Sequence, residues 1–214
     1  MTDLTEYYRR RAREYDAVYA KPERQDDLRR LRSAVAELVR EQTVLEVAAG
    51  TGYWTAVMAG TARSVLATDL AEETLAVARE RDYAGEVSFR TADVARLDEL
   101  GASFDVVFAG FFWSHVPRAE ASEFVRRLGR CGRRVVLVDN LYVEGSSSPV
   151  TSVGPDGDTY QTRRLADGSA YEILKNFPGP GTVEADLRAL GSEIRFEEFG
   201  YYWLASAGQR VGAG

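Results

Sequence analysis

The sequence predicts an α/β protein: a doubly wound, mostly parallel seven-stranded sheet with helices on both faces and a C-terminal antiparallel strand pair. Three observations predict it. Thr43–Val47 reads as a strand that runs into the small-residue turn Ala48-Ala49-Gly50-Thr51-Gly52 and then into the helix-compatible stretch Tyr53–Ala59. Five β-compatible runs follow one another with helical runs between them. Two further short β runs close the chain with only a tight connection between them.

Composition bounds the function. A chain of 214 residues is long enough for one domain with a sizeable core. The net charge of −6 offers no overall attraction for nucleic acid or an anionic membrane. Cys131 is the only cysteine, so no internal disulfide forms, and one histidine with one cysteine cannot build a usual zinc site. No apolar run approaches the ~20 residues that span a bilayer, and the polar start Met1–Glu6 lacks a signal-peptide core. A cytoplasmic, single-domain protein is expected.

The elements are justified in order. Tyr8, Tyr15 and Tyr19 recur at helical spacing within residues 5–20, either as a packed amphipathic helix or as a lid whose tyrosines close over a ligand. Lys21-Pro22 ends that helix. Asp26–Arg40 is a second helix with Leu28, Leu31, Val35, Leu38 and Val39 on one face. These first 40 residues are read as a helical lid. Strands are expected at 43–47, 63–69, 86–93, 104–109 and 133–139, the fourth apolar enough for a buried parallel position. Helices are expected at 71–81 and 118–128, the latter with Pro117 at its first position. Residues 141–180 lose periodicity and form an insertion at the carboxyl edge of the sheet, with an Asp167-Gly168 hairpin inside. A last helix spans 182–190 with Thr182 as N-cap, strands span 194–199 and 201–206, and Gly208–Gly214 is a tail.

Carboxylates mark the carboxyl ends of the first three strands: Glu46, Asp69 and Asp93. Gly50 and Gly52 let the turn approach a ligand closely, and Asp69 at the next strand end can accept protons from two ribose hydroxyls. A nicotinamide dehydrogenase would need Gly-x-Gly-x-x-Gly, but Thr55 stands at the third position. With the Glu46–Gly52 loop, Asp69, Asp93 and the Phe104–His115 stretch, residues 40–140 resemble the class I S-adenosylmethionine-dependent methyltransferases. The closing strand pair resembles the family's antiparallel hairpin. Ala48 replaces the first glycine of the family loop.

The resemblance implies S-adenosylmethionine as cofactor, with S-adenosylhomocysteine as product. It implies contacts from Glu46, Ala48, Gly50, Gly52 and Gly110, with Asp69 on the ribose, Leu70 against adenine, Asp93 accepting from the adenine amino group and Val94 donating its backbone N–H. Tyr8 and Tyr15 would close over the cofactor. Methyl transfer is an in-line displacement that needs alignment and exclusion of water, plus a base where the nucleophile carries a proton. His115, the sole histidine, follows strand four at the ligand-binding edge and is the candidate base, or else a structural cap. Trp113, Asn140, Tyr142 and Arg163 are the candidate acceptor contacts, Arg163 suiting an anionic acceptor. No metal site is expected, since Asp139-Asn140 lacks a third acidic ligand. The expected reaction is methylation of an oxygen or nitrogen of a small molecule. A silent cofactor-binding sensor, or an RNA or protein methyltransferase, are the alternatives; oligomeric state is open.

Overall fold

A computed structural model describes residues 19–165, 168–191 and 193–208. The expected helix over 5–20, with Tyr8 and Tyr15, therefore lies outside the described residues except at its end, as does the tail from residue 209. The described elements are α1 (Gln25–Leu38), β1 (Thr43–Val47), α2 (Tyr53–Ala59), β2 (Ser64–Asp69), α3 (Glu72–Arg79), β3 (Val87–Thr91), β4 (Phe104–Gly110), α4 (Ala121–Cys131) and β5 (Gly132–Asn140). Next come β6 (Ser152–Val153), β7 (Thr159–Arg164), β8 (Ala170–Leu174), α5 (Pro180–Leu187), β9 (Glu193–Glu198) and β10 (Tyr202–Gly208).

Seven strands form one sheet in the order β3-β2-β1-β4-β5-β10-β9. β1 pairs parallel with β2 and with β4, so the strand order reverses beside it. Ligands of open α/β sheets bind at that switch point, outside the carboxyl ends. β10 enters antiparallel between β5 and β9.

Period-two alternation splits the core. Leu45, Val47, Val107, Val135 and Leu137 face α4 and α5, meeting Phe124, Leu128, Val183 and Leu187. Val44, Val106, Val136 and Val138 face the other way, onto Leu28, Leu31, Val35, Trp54 and Met58 of α1 and α2. Covering both faces is what a parallel sheet requires, and it explains why β4 and β5 read as unbroken apolar runs.

Three local expectations are corrected. Pro117 caps a 3₁₀ turn at Arg118–Glu120, and α4 begins only at Ala121. α5 starts at Pro180 behind Gly179, ahead of Thr182, because proline's fixed φ suits a first helical position and its missing N–H is not needed there. Gly208 belongs to β10, paired with Arg134 and Glu193.

The insertion is a small antiparallel sheet in the order β6-β7-β8. The expected hairpin joins β7 to β8, with Gly168 at φ 85. Gln161 and Arg163 turn inward while Thr162 and Arg164 are exposed, in keeping with the strand's alternation.

Candidate cofactor and acceptor sites

The turn after β1 is built of left-handed residues. Ala48, Gly50 and Gly52 have φ of 51, 58 and 81. The two glycines do different work. A Cβ on Gly50 would meet nothing within 4 Å, so this residue borders open space where a ligand can approach. A Cβ on Gly52 would strike the Tyr83 hydroxyl and come within 3.1 Å of the Ala78 Cβ on α3, so this glycine is needed for packing. Ala48 holds a conformation that costs an L-residue roughly 1–2 kcal/mol. That is the physical reason a glycine is natural at this position. Ala48→Gly is expected to raise stability by about 1 kcal/mol, after glycine's own entropic penalty, read as a higher urea midpoint at unchanged m.

Asp69 ties the loop to the end of β2. Its Oδ2 accepts from the Gly50 N–H at 2.9 Å and its Oδ1 from the Ala71 N–H at 2.9 Å. Burial pushes its carboxyl up, and the backbone N–H groups of Ala71, Gly50 and Leu70 oppose that. Glu46 lies buried beneath the loop, where its Oε2 accepts from the Thr55 hydroxyl at 2.5 Å. Burial, reinforced by the Asp69 charge and opposed by the Thr55 bond, pushes Glu46 up to about 8. Leu70 is 53% exposed, an apolar side chain standing beside Asp69. A left-handed loop open at Gly50, a carboxylate at the strand end and an exposed apolar side chain next to it fit a nucleoside cofactor. Asp93 accepts from the Ala95 N–H at 2.8 Å and caps the 3₁₀ turn Val94–Leu100, with both Asp93 and Val94 half-buried. Gly110 is needed for a protein contact, since a Cβ there would lie 2.6 Å from the Trp54 ring.

The aromatic run after β4 sorts differently from expectation. Trp113 is 1% exposed, packed edge-to-face on Trp203 in the core under α4, so it does not line the acceptor side. Phe112 packs on Phe124. Phe111 is the residue turned the other way: with φ 57 it stacks between Tyr19 and Tyr202. Tyr19 in turn lies flat on Tyr53, the residue after Gly52, at 3.6 Å between centroids. A left-handed bulky residue is a strained feature of the kind that gathers at functional sites.

His115 is half-buried, and its Nδ1 lies 2.6 Å from the Leu174 carbonyl. A carbonyl can only accept, so Nδ1 carries the proton. Burial first, then the Lys175 ammonium, hold the imidazole well below its ordinary range, against the opposing pull of Asp139. Asp139 is fully buried at the end of β5. It accepts from Lys175 Nζ at 3.0 Å, from the Ser114 N–H at 2.9 Å and from the Asn140 N–H at 2.8 Å. Asn140 Oδ1 accepts from Arg24 at 3.3 Å. Arg24, only 5% exposed, also donates to the Ser146 hydroxyl at 2.9 Å and lies over the Tyr201 ring at 4.9 Å. Arg163 donates to the Ser148 hydroxyl at 2.7 Å and to Gln161 Oε1 at 2.6 Å. Tyr142 stands on the outer side, exposed against Phe177, in a groove of about 410 Å³ with Arg118 and Val150.

Sequence reasoning missed Lys175, Arg24 and Phe111. No local signal in the sequence marks Lys175 as buried.

The strand order, the loop and the strand-end carboxylates define a Rossmann-like cofactor-binding enzyme class. Residues 44–134 match a family model described as a methyltransferase domain. The chain is 34% identical over 174 residues to a demethylmenaquinone methyltransferase of Clavibacter sepedonicus, covering 74% of this chain and 68% of the relative. It also resembles the solved DhpI–SAH complex, with a TM-score of 0.75, 29% identity, and 98% and 97% of the two chains covered. The fold is shared with magnesium protoporphyrin IX methyltransferase of Synechocystis PCC 6803 solved with SAM, at a TM-score of 0.64, 18% identity, and 97% and 96% coverage. The chain belongs to the class I S-adenosylmethionine-dependent methyltransferases, and its cofactor is S-adenosylmethionine. No described helix is long and apolar enough to cross a membrane.

Proposed function

We propose that this enzyme methylates an oxygen or nitrogen of an anionic small molecule, with the acceptor held between the carboxyl edge of β4 and β5 and the 141–180 insertion. The observation that carries this reading is a group of three cations, Lys21, Arg24 and Arg163. None of them makes an ion pair with a carboxylate among the described residues. Burial, then Arg24, hold Lys21 below the usual lysine range; Glu23 opposes this and Arg163 adds to it. Cations that crowd one another in this way gain when an anion enters between them. A buried guanidinium such as Arg24 suits a small ligand rather than the backbone of a nucleic acid. DhpI has also been solved with SAM and HEP, at 29% identity and a TM-score of 0.74 to this chain.

The cofactor supplies an electrophilic methyl group on a sulfonium. Asp69, the Gly50 turn and Leu70 bind and orient it in this reading, with Asp93 and Val94 at the adenine end. Tyr19, Tyr53 and Phe111 help to exclude water. His115, neutral with its proton on Nδ1, takes the proton of the nucleophile at Nε2. Arg24, Asn140 and Arg163 hold the acceptor's negative group.

The test is turnover of labelled S-adenosylmethionine with hydroxyl and amino compounds that carry a carboxylate or phosphate, each beside its neutral ester or amide. Anionic members are expected to show kcat/KM at least about tenfold above their neutral partners. Arg24→Met is expected to raise the acceptor KM by a similar factor at unchanged cofactor affinity. Equal turnover of the neutral partners would overturn the proposal.

A further inference from the structure

The end of β8 meets the turn after β4 residue against residue. Leu174 accepts from His115 Nδ1 through its carbonyl at 2.6 Å. Lys175 Nζ donates to the Ser114 hydroxyl at 2.5 Å and to Asp139 Oδ1 at 3.0 Å. Asn176 donates its backbone N–H to the Ser114 carbonyl at 2.8 Å and its side-chain amide to the Val116 carbonyl at 3.1 Å. Three consecutive residues of the insertion thus grip Ser114-His115-Val116. Ser114 is fully buried and held at its N–H, carbonyl and hydroxyl. Lys175 is 6% exposed, and its charge is taken up by Asp139.

We infer that Leu174-Lys175-Asn176 is a clamp that fixes His115 as the neutral Nδ1–H tautomer, with Lys175 as the positioning residue, so that the acceptor-binding insertion also sets the base. The Leu174 carbonyl chooses the tautomer, because only a protonated Nδ1 satisfies it. Nε2 is left as the basic atom of the ring. The Lys175 ammonium opposes a second proton, Arg163 adds to that opposition, and Asp139 works against both. Arg163 lies opposite Tyr171 on the same hairpin that ends in the clamp.

The kinetic part rests on His115 being the base, as proposed above, while the clamp itself does not. His115 is the only histidine in the chain, so its imidazole resonances need no assignment strategy. Nitrogen shifts of the full-length protein with S-adenosylhomocysteine are expected to show the Nδ1–H tautomer at neutral pH and no protonation down to about pH 5. An Nε2–H tautomer, or a midpoint near the free-imidazole value, would overturn the clamp. Lys175→Met is expected to raise the midpoint by at least about one unit, tenfold in proton affinity, since it removes the ammonium and leaves Asp139 facing the ring. Should that variant fail to fold, K175M/D139N buries no lone charge, and its midpoint is expected to rise by less. An unchanged or lower midpoint in either variant overturns the role of Lys175. The acid limb of kcat/KM should follow each midpoint. A moved midpoint with an unmoved acid limb leaves the clamp standing and overturns His115 as the base.

Discussion

Replacing Asp69 by asparagine is expected to weaken S-adenosylmethionine binding by about 100-fold or more, corresponding to roughly 3 kcal/mol. Two losses combine. In the proposed site the ribose hydroxyls would lose a charged acceptor, and hydrogen bonds to charged groups contribute about 1.5–3 kcal/mol each. The loop loses its anchor as well. Asp69 accepts with both oxygens, from Gly50 and from Ala71, so either orientation of an amide sets an N–H₂ against one of those N–H groups. Titration calorimetry with S-adenosylmethionine and S-adenosylhomocysteine checks the effect, with a proton–nitrogen spectrum to show that the sheet remains formed. Affinity within threefold of the parent would place the ribose elsewhere and overturn the site assignment.

Lys175→Met is expected to destabilise the protein by about 3–5 kcal/mol, because Asp139 stays buried with its partner gone. Replacing both members, K175M/D139N, is expected to recover most of that loss, since removing a buried pair together is often close to neutral. Denaturant unfolding of the four proteins of this cycle checks it. The pH dependence should change sign. In the parent, burial pushes Asp139 up, but Lys175 and the Ser114 N–H hold it below its ordinary value of 3.8. Its contribution is therefore present above 3.8 and is lost as pH falls through the lower folded value. In Lys175→Met, burial is no longer offset by the ammonium and the folded value rises. The contribution of Asp139 is then greatest in acid and falls as pH rises above about 4. Equal slopes in the two proteins would show that Lys175 carries little of the compensation.

Much of the fold is legible because it follows from short-range pattern. β1 begins and ends at the residues the alternation marks, and β2 and β4 fall within one residue of expectation. The order of strands and helices already implied the parallel sheet, and the closing pair appeared as β9 and β10. The residues proposed for the cofactor are local features of the chain. The loop at 48–52 and the carboxylates at 69 and 93 each sit at the end of one strand, at positions that chain geometry dictates. Even there the two glycines could not be distinguished, since only the neighbouring α3 and Tyr83 show that Gly52 serves packing while Gly50 borders open space.

For the proposed acceptor contacts, side-chain orientation was legible only in part. Arg163 turned inward as the alternation of β7 implies. The choice of Trp113 failed because three adjacent aromatics carry the same chemistry, and a single left-handed φ at Phe111 decides which ring faces which layer.

The sequence by itself determined the element order, the turn and strand-end carboxylates proposed to hold the cofactor, and through them the family and the cofactor. Those depend on periodicity and on turn chemistry that neighbours in the chain impose. Tertiary structure alone decided that Arg24 would be a buried cation beside Asn140, 116 residues away, and that Lys175 would join Asp139 and Ser114, 36 and 61 residues away. An isolated charged residue reads as solvated surface until the sheet has formed. Burial then makes its partners matter, because a charge removed from water is tolerated only where another group compensates it.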